Sequence, residues 1–360
     1  MIAWQSFTRE WILKQKDRYP KADPLLIERQ IYAFELLGLL ASSGKPFVFK
    51  GGTALLLLLP VARRISIDID IVGGFTFDEL VPLVESSIFQ RVEEDKREKS
   101  SIPKRHFKFH YTSVVDGHET CVLLDVLDTP HAYPKVVSLP VVSDLFAAEA
   151  EVSVTTPTIN GITGDKLNAF APHTLGVPYG KGKSMEIVKQ LFDVGELFNH
   201  VTDIAELASA YKGIWTEESR FRDQKLSMHQ TLEDTIDTAF LLSQAQFKGS
   251  IDSEEVRELL KGVGQLKSYF LGAKFTIDEA RVAAGKVALL ATMLKIGTLE
   301  FKLDDMRFGD TCLDQIRGVA LEGRLQILNK LKGTIPEAFY YWWLVQNLEL
   351  KANPRRSQAI

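Results

Sequence analysis

The sequence predicts an α/β (α+β) protein: a mixed sheet in the first half of the chain and a helical bundle in the second. Two observations carry this. Between residues 46 and 127, short apolar runs with a period of two alternate with glycine-marked turns and short helical stretches. After Val152-Ser153-Val154-Thr155 the pattern turns helical almost throughout.

The elements follow in order. Residues 22 to 43 carry Leu25, Ile27, Ile31, Phe34, Leu37 and Leu40 at helical spacing, and Gly44-Lys45-Pro46 stops the pattern. Phe47-Val48-Phe49-Lys50 reads as a strand ending at Gly51-Gly52, and the leucine-rich stretch after Thr53 as a short buried helix that ends near Pro60. From 66 to 72 a strand is expected, with Ile65, Ile67, Ile69 and Ile71 alternating against Ser66, Asp68 and Asp70. A helix is expected over 76 to 88, and the charge-rich stretch from 91 to 108 reads as a loop or mobile hairpin. Strands over 107 to 115 and 120 to 127 form a hairpin through Asp116-Gly117. Beyond a boundary near residue 160, helices are expected near 162–170, 185–199, 203–213, 226–245, 276–295 and 336–350, without a repeat period. The expected domains are an N-terminal helical segment (1–45), a core (46–160) and a helical C-terminal domain (161–360).

A chain of 360 residues suffices for two or three domains, and its composition is that of a globular protein. The longest apolar run, ended by Pro60, is too short to span a bilayer, and the N-terminus lacks the pattern of a signal peptide, so a cytoplasmic protein with no membrane partner is expected. Cys121 and Cys312 are too few and too far apart for a zinc site or a disulfide framework. A net charge of −4 excludes a protein that coats nucleic acid through its overall field, which leaves local basic patches for any RNA contact.

The chemistry is concentrated in one stretch. A period of two puts Asp68 and Asp70 on one strand face, and paired carboxylates are the hard oxygen ligands that Mg²⁺ accepts beside phosphates and water. Just upstream, Gly51-Gly52-Thr53 sits at a strand-to-helix junction, where bare backbone N–H groups and a helix N-terminus suit an anion. A metal site and a phosphate site therefore belong to one unit, as nucleotidyl transfer requires. His106 and His110 share a strand face but have no third ligand, so no zinc is assigned. Tyr340, Tyr341, Trp342 and Trp343 read as the packed face of a terminal helix rather than a stacking platform for bases.

The runs Lys50-Gly51-Gly52-Thr53-Ala54-Leu55 and Arg64-Ile65-Ser66-Ile67-Asp68-Ile69-Asp70 resemble the signature of the AbiEii/AbiGii nucleotidyltransferases, which include type IV toxins and the MenT toxins. The resemblance continues through Leu124-Asp125-Val126, Gly164-Asp165-Lys166-Leu167-Asn168-Ala169-Phe170 and Lys189-Gln190-Leu191-Phe192-Asp193-Val194, and covers at least residues 46 to 200. Gln190 departs from it, since several relatives carry an acid there. The resemblance implies a DNA polymerase beta-like nucleotidyltransferase core, with Asp68, Asp70 and Asp125 as metal-holding catalytic acids. It makes Gly51, Gly52, Thr53, Arg64, Lys166 and Lys189 the nucleotide-binding residues, and adds Lys166 and Asp193 to the catalytic group. Lys189 and Asp193, four apart on a helix, also fit a plain ion pair. Arg63 is either a phosphate contact or a helix cap, and the loop from 172 to 184, with Lys181 and Lys183, either a closing basic loop or a connector.

The expected cofactor is Mg²⁺, the donor a nucleoside triphosphate and the acceptor RNA, the 3′ end of tRNA among the options. A cognate antitoxin is expected, whose direct binding the sequence leaves open. Transfer onto a protein or small molecule, and a nucleotide-binding module without turnover, stay as alternatives, because fold does not set the acceptor.

Overall fold

The computed structural model describes residues 1–85, 87–95, 102–222, 225–297 and 302–352. Their contacts divide them into two compact units, one of residues 1–158 with 268–274, the other of 159–267 and the described residues from 275 on.

The first unit holds helices α1 (Arg9–Arg18), α2 (Pro24–Ser42), α3 (Gly51–Leu58) and α4 (Phe77–Glu85). Its main sheet comprises β1 (Val48–Lys50), β2 (Ile69–Val72), β3 (Arg91–Glu94), β4 (Lys104–Thr112) and β5 (Glu119–Leu127), in the order β1-β2-β5-β4-β3. The β2–β5 pair is parallel and the other pairs antiparallel, so the sheet is mixed, as expected. A second sheet pairs β6 (Val136–Pro140) with β7 (Ser153–Pro157).

Helix α2 starts where Asp23 accepts the Leu25 N–H at 2.9 Å and Pro24 occupies the first turn. Its residues Ile27, Ile31, Phe34 and Leu37 are buried. Tyr32 of α2 stacks on Tyr111 of β4, with ring centroids 3.6 Å apart. Glu28, also buried, accepts from the Ser113 hydroxyl at 2.7 Å and the Val114 N–H at 2.6 Å, pinning the start of the β4–β5 turn. Burial pushes its carboxyl above the ordinary value despite these bonds. The two long strands alternate cleanly: Phe107, Phe109 and Tyr111 with Val122, Leu124 and Val126 form the core face, which leaves His106, Lys108, Cys121 and Asp125 on the other.

The second unit contains α5 (Ile159–Ala169), α6 (Ser184–Leu197), α7 (Ile204–Arg222), α8 (Met228–Gln244), α9 (Glu254–Gln265), α10 (Ile277–Ile296), α11 (Cys312–Gln315), α12 (Leu331–Thr334) and α13 (Pro336–Ala352). Helix α10 is its hub and packs against α6, α8 and α13. Its small residues Ala284, Gly285, Ala288 and Ala291 allow close approach; a Cβ on Gly285 would lie 2.9 Å from Cβ of Tyr341. Tyr340, Tyr341 and Trp342 are core residues, and the Trp342 indole donates to the Ser243 hydroxyl at 3.0 Å.

Several expectations need correction. Of the two options for the stretch from 91 to 108, the described residues take the hairpin and not the loop: β3 and β4 pair as antiparallel strands, while 96–101 lie outside the described residues. The charges that suggested a loop belong to an edge strand and its neighbour, where Arg105 pairs with Glu94 and Lys108 with Asp95 across the sheet. Strand β2 begins only at Ile69, so Asp68 stands just before it. Strand β6 escaped notice because it buries no alternate residue, and α9 because Gly262 and Gly264 interrupt it. Gly262 is needed there, since a side chain would meet the Ser184 carbonyl of α6.

Truncating the central aromatic should be costly. Trp342→Ala is expected to lose about 3–5 kcal/mol of stability, and Trp342→Phe, which forfeits chiefly the bond to Ser243, about 1 kcal/mol, both read by urea unfolding.

Candidate active site

The sheet register builds the site. Lys50 of β1 is the partner of Asp70 on β2, Asp70 that of Asp125 on β5, and Asp125 that of His106 on β4. Register partners on neighbouring strands share a face, so two carboxylates stand side by side on strands about 4.8 Å apart, flanked by a lysine and a histidine. Like charges so placed repel unless a cation or hydrogen bonds compensate. One oxygen of Asp125 meets Nδ1 of His106 at 2.6 Å.

Asp68 keeps its place although the strand has not yet begun. Ile65, Ile67, Ile69 and Ile71 are all buried, while Ser66, Asp68 and Asp70 are half-buried, so the alternation runs through residue 68. The buried Thr53 hydroxyl donates to the Asp68 carbonyl at 2.5 Å, which fastens α3 to the stretch entering β2.

The glycines are explained by what lies on them. Gly51 has φ +79°, and a Cβ there would come within 2.7 Å of the Asp70 carboxyl carbon. A Cβ on Gly52 would lie 2.6 Å from an Arg64 guanidinium nitrogen and 2.8 Å from the Ser66 hydroxyl. The first turn of α3 thus lies against an acid and a buried arginine. Lys50, at the N-cap, gives that helix no side-chain cap, and the N–H groups that open a helix suit an anion such as a phosphate.

Arg64 is 6 % exposed and donates to its neighbour's carbonyl, Ile65 O, at 3.1 Å. Its backbone is held by the segment 268–274: Arg64 bridges Phe270, the Ile65 N–H donates to Tyr269 O at 2.7 Å, and the Leu271 N–H donates to Arg63 O at 3.0 Å. The Arg63 guanidinium lies over the Phe270 ring. No pattern in the sequence marks this return of the chain to the first unit.

A second group occupies the helical unit. Lys166 of α5 and Asp193 of α6 form an ion pair at 2.9 Å, with side chains 9 % and 1 % exposed. Lys189 stands half-buried one turn before Asp193. The structure therefore gives Asp193 a partner on another helix, beyond the plain i,i+4 reading. The loop between α5 and α6 has Lys181 and Lys183 exposed, and Gly180 donates its N–H to Glu258 at 2.9 Å.

Among the described residues no three His, Cys, Asp or Glu side chains converge as a metal-ligand cluster. Mg²⁺ is commonly held by one or two carboxylates with phosphates and water completing its shell, and Asp70 beside Asp125 supplies such a pair. His110 sits between Glu93 at 3.2 Å and Glu119 at 3.3 Å. Burial raises the Cys121 thiol above its ordinary value, which makes it a poor nucleophile. Two residues that sequence reasoning passed over join the site: Lys50, visible only as the residue before Gly51, and His106, dismissed as a metal ligand but set against Asp125 by register.

The family model of the AbiEii nucleotidyl transferase toxins of type IV toxin–antitoxin systems matches residues 36–265. The chain belongs to this family and is a nucleotidyltransferase by class. No curated protein matches it. Among solved structures it is similar to JHP933 from Helicobacter pylori, at 17% identity and TM-score 0.43, over 76% of this chain and 94% of that one. It is also similar to an antigenic nucleotidyltransferase-like protein from Paracoccidioides brasiliensis, at 16% identity and TM-score 0.36, over 57% of this chain and 93% of that one. Among the described residues no helix is long and apolar enough to cross a membrane.

The buried pair gives a stability test. Asp193→Ala, which strands the Lys166 charge, is expected to cost about 3–5 kcal/mol, and Lys166→Met with Asp193→Leu markedly less, in urea unfolding of both variants. A double variant as unstable as the single one would show that each side chain has its own indispensable partners.

Proposed function

We propose that the protein is a Mg²⁺-dependent enzyme that transfers a nucleoside monophosphate from a nucleoside triphosphate to RNA, with the tRNA 3′ end as the first acceptor to test. The observation that carries this reading is the Asp70–Asp125 register pair beside a glycine turn lined by Asp70 and Arg64.

In this reading the N–H groups opening α3, at Gly51 and Gly52, and the Arg64 guanidinium take the triphosphate. Thr53 acts from within by fixing the backbone of Asp68. Asp68, Asp70 and Asp125 hold Mg²⁺, which when bound neutralises charge on the phosphates. The acceptor hydroxyl oxygen bonds to the α-phosphorus, the bond to the β-phosphate oxygen breaks, pyrophosphate leaves, and the hydroxyl proton passes to Asp125. His106 holds one Asp125 oxygen and so aims the other. Lys166 and Lys189, which the family resemblance assigns to the nucleotide, belong to the helical unit, where Asp193 pairs with Lys166.

In this reading the enzyme acts in the cytoplasm, and the family resemblance makes growth arrest its outcome. Membership of a type IV toxin family implies an antitoxin, which this reading does not require to touch the toxin.

The test is transfer of label from each α-labelled nucleoside triphosphate to total RNA, tRNA and total protein. Label is expected on RNA, dependent on Mg²⁺, and about a thousandfold slower in Asp68→Ala and Asp70→Ala, the equivalent of roughly 4 kcal/mol of transition-state stabilisation. Label on protein, or nucleotide binding without transfer to any acceptor, would contradict the RNA reading.

A further inference from the structure

The first unit carries a recess of about 500 Å³ that the site described above does not use. Its walls are the turn after α1, with Arg18, Tyr19 and Lys21, the loop between α3 and β2, with Val61 and Arg63, and the returning segment at Leu271. None of its lining residues is an acid, whereas three carry a positive charge, in a chain whose net charge is −4. Among the described residues Lys21 has no ion-pair partner. Arg18 pairs with the exposed Asp144 at 2.7 Å and its guanidinium lies over one face of the Tyr19 ring, and a surface pair of this kind yields readily to a phosphate. Tyr19 offers a ring, and Val61, 71 % exposed, an apolar rim.

Cations in excess over acids, one aromatic ring and an apolar lining are the elements by which single-stranded nucleic acid is held, phosphate by charge and base by stacking. The volume is that of a small-ligand pocket, which suits a nucleotide of an unpaired strand and not a duplex. The recess also leads to the chemistry along the backbone: Arg63 lines it, and the next residue, Arg64, reaches Gly52. On the reading that the acceptor is RNA, we propose that this recess holds an unpaired nucleotide of the acceptor strand just upstream of the reacting 3′ end, with Arg18 and Lys21 on its phosphates and Tyr19 against its base.

The test uses the full chain, a 5′-labelled single-stranded RNA, a duplex RNA of the same sequence, and Arg18→Gln, Lys21→Gln and Tyr19→Ala variants whose melting temperatures match the wild type. For the wild type, single-stranded RNA is expected to bind more tightly than the duplex. Arg18→Gln and Lys21→Gln should each reduce the slope of log Kd against log salt by about 0.7, and together weaken binding about tenfold at moderate salt. Tyr19→Ala should weaken it about tenfold at every salt, with the slope unchanged. Lys21→Arg should bind as the wild type, and the KM for the nucleoside triphosphate should not move in any variant. Unchanged RNA affinity and slope in the Gln variants, with transfer to RNA intact, would overturn the recess while leaving the RNA reading standing; equal binding of duplex would overturn it too. A wild type that neither binds RNA nor labels it would instead remove the reading on which the proposal rests.

Discussion

The parallel pairing of β2 with β5 is the constraint on which the site depends. It is set by apolar side chains: Ile69 and Ile71 on one strand and Val122, Leu124 and Val126 on the other all turn to the same buried face. With that face filled, Asp70 and Asp125 have no choice but to stand together on the opposite one. A slip of one residue in either strand would bury a carboxylate and expose an isoleucine or valine, so the core enforces the juxtaposition of like charges. Burial energy thus fixes an arrangement that electrostatics alone would oppose, and a divalent cation, as proposed above, would relieve that opposition.

Around that pair the structure shows a shell of groups that act through others. Gly51 exists because Asp70 leans on it, Gly52 because Arg64 and Ser66 do, and Thr53 spends its hydroxyl on the Asp68 carbonyl. His106 occupies one oxygen of Asp125. The segment 268–274 fixes the backbone at Arg63, Arg64 and Ile65 by hydrogen bonds from far along the chain. Such supports hold reacting groups to a productive geometry more firmly than loops do, which suits a reaction whose catalysis is largely placement and charge.

Much of this was legible in the sequence, for identifiable reasons. The isoleucine alternation gave β2 and the shared face of Asp68 and Asp70, and the glycine pair gave the turn into α3, because both signals are local. The Asp116-Gly117 turn located the β4–β5 hairpin by the same kind of signal, with Gly117 at φ +77°. What stayed hidden was non-local or contradicted a propensity. The partnership of His106 with Asp125 depends on register across two strands. Lys166 and Asp193 meet across two helices, and the return at Phe270 lies about two hundred residues beyond the arginine it bridges. Charged β3 and glycine-containing α9 ran against the preferences by which strands and helices are recognised, because an edge position tolerates the one and close packing on Ser184 demands the other.

In the proposed reaction the carboxylates brought together by β2 and β5 form a divalent-cation site completed by a triphosphate. The most direct measurement is anomalous diffraction from crystals of the full chain grown with Mn²⁺ and a non-hydrolysable nucleoside triphosphate. An anomalous peak is expected, bonded to oxygens of Asp70 and Asp125 and to the triphosphate lying over Gly51 and Gly52. A bound nucleotide with no metal at these acids, or a metal held elsewhere, would contradict it.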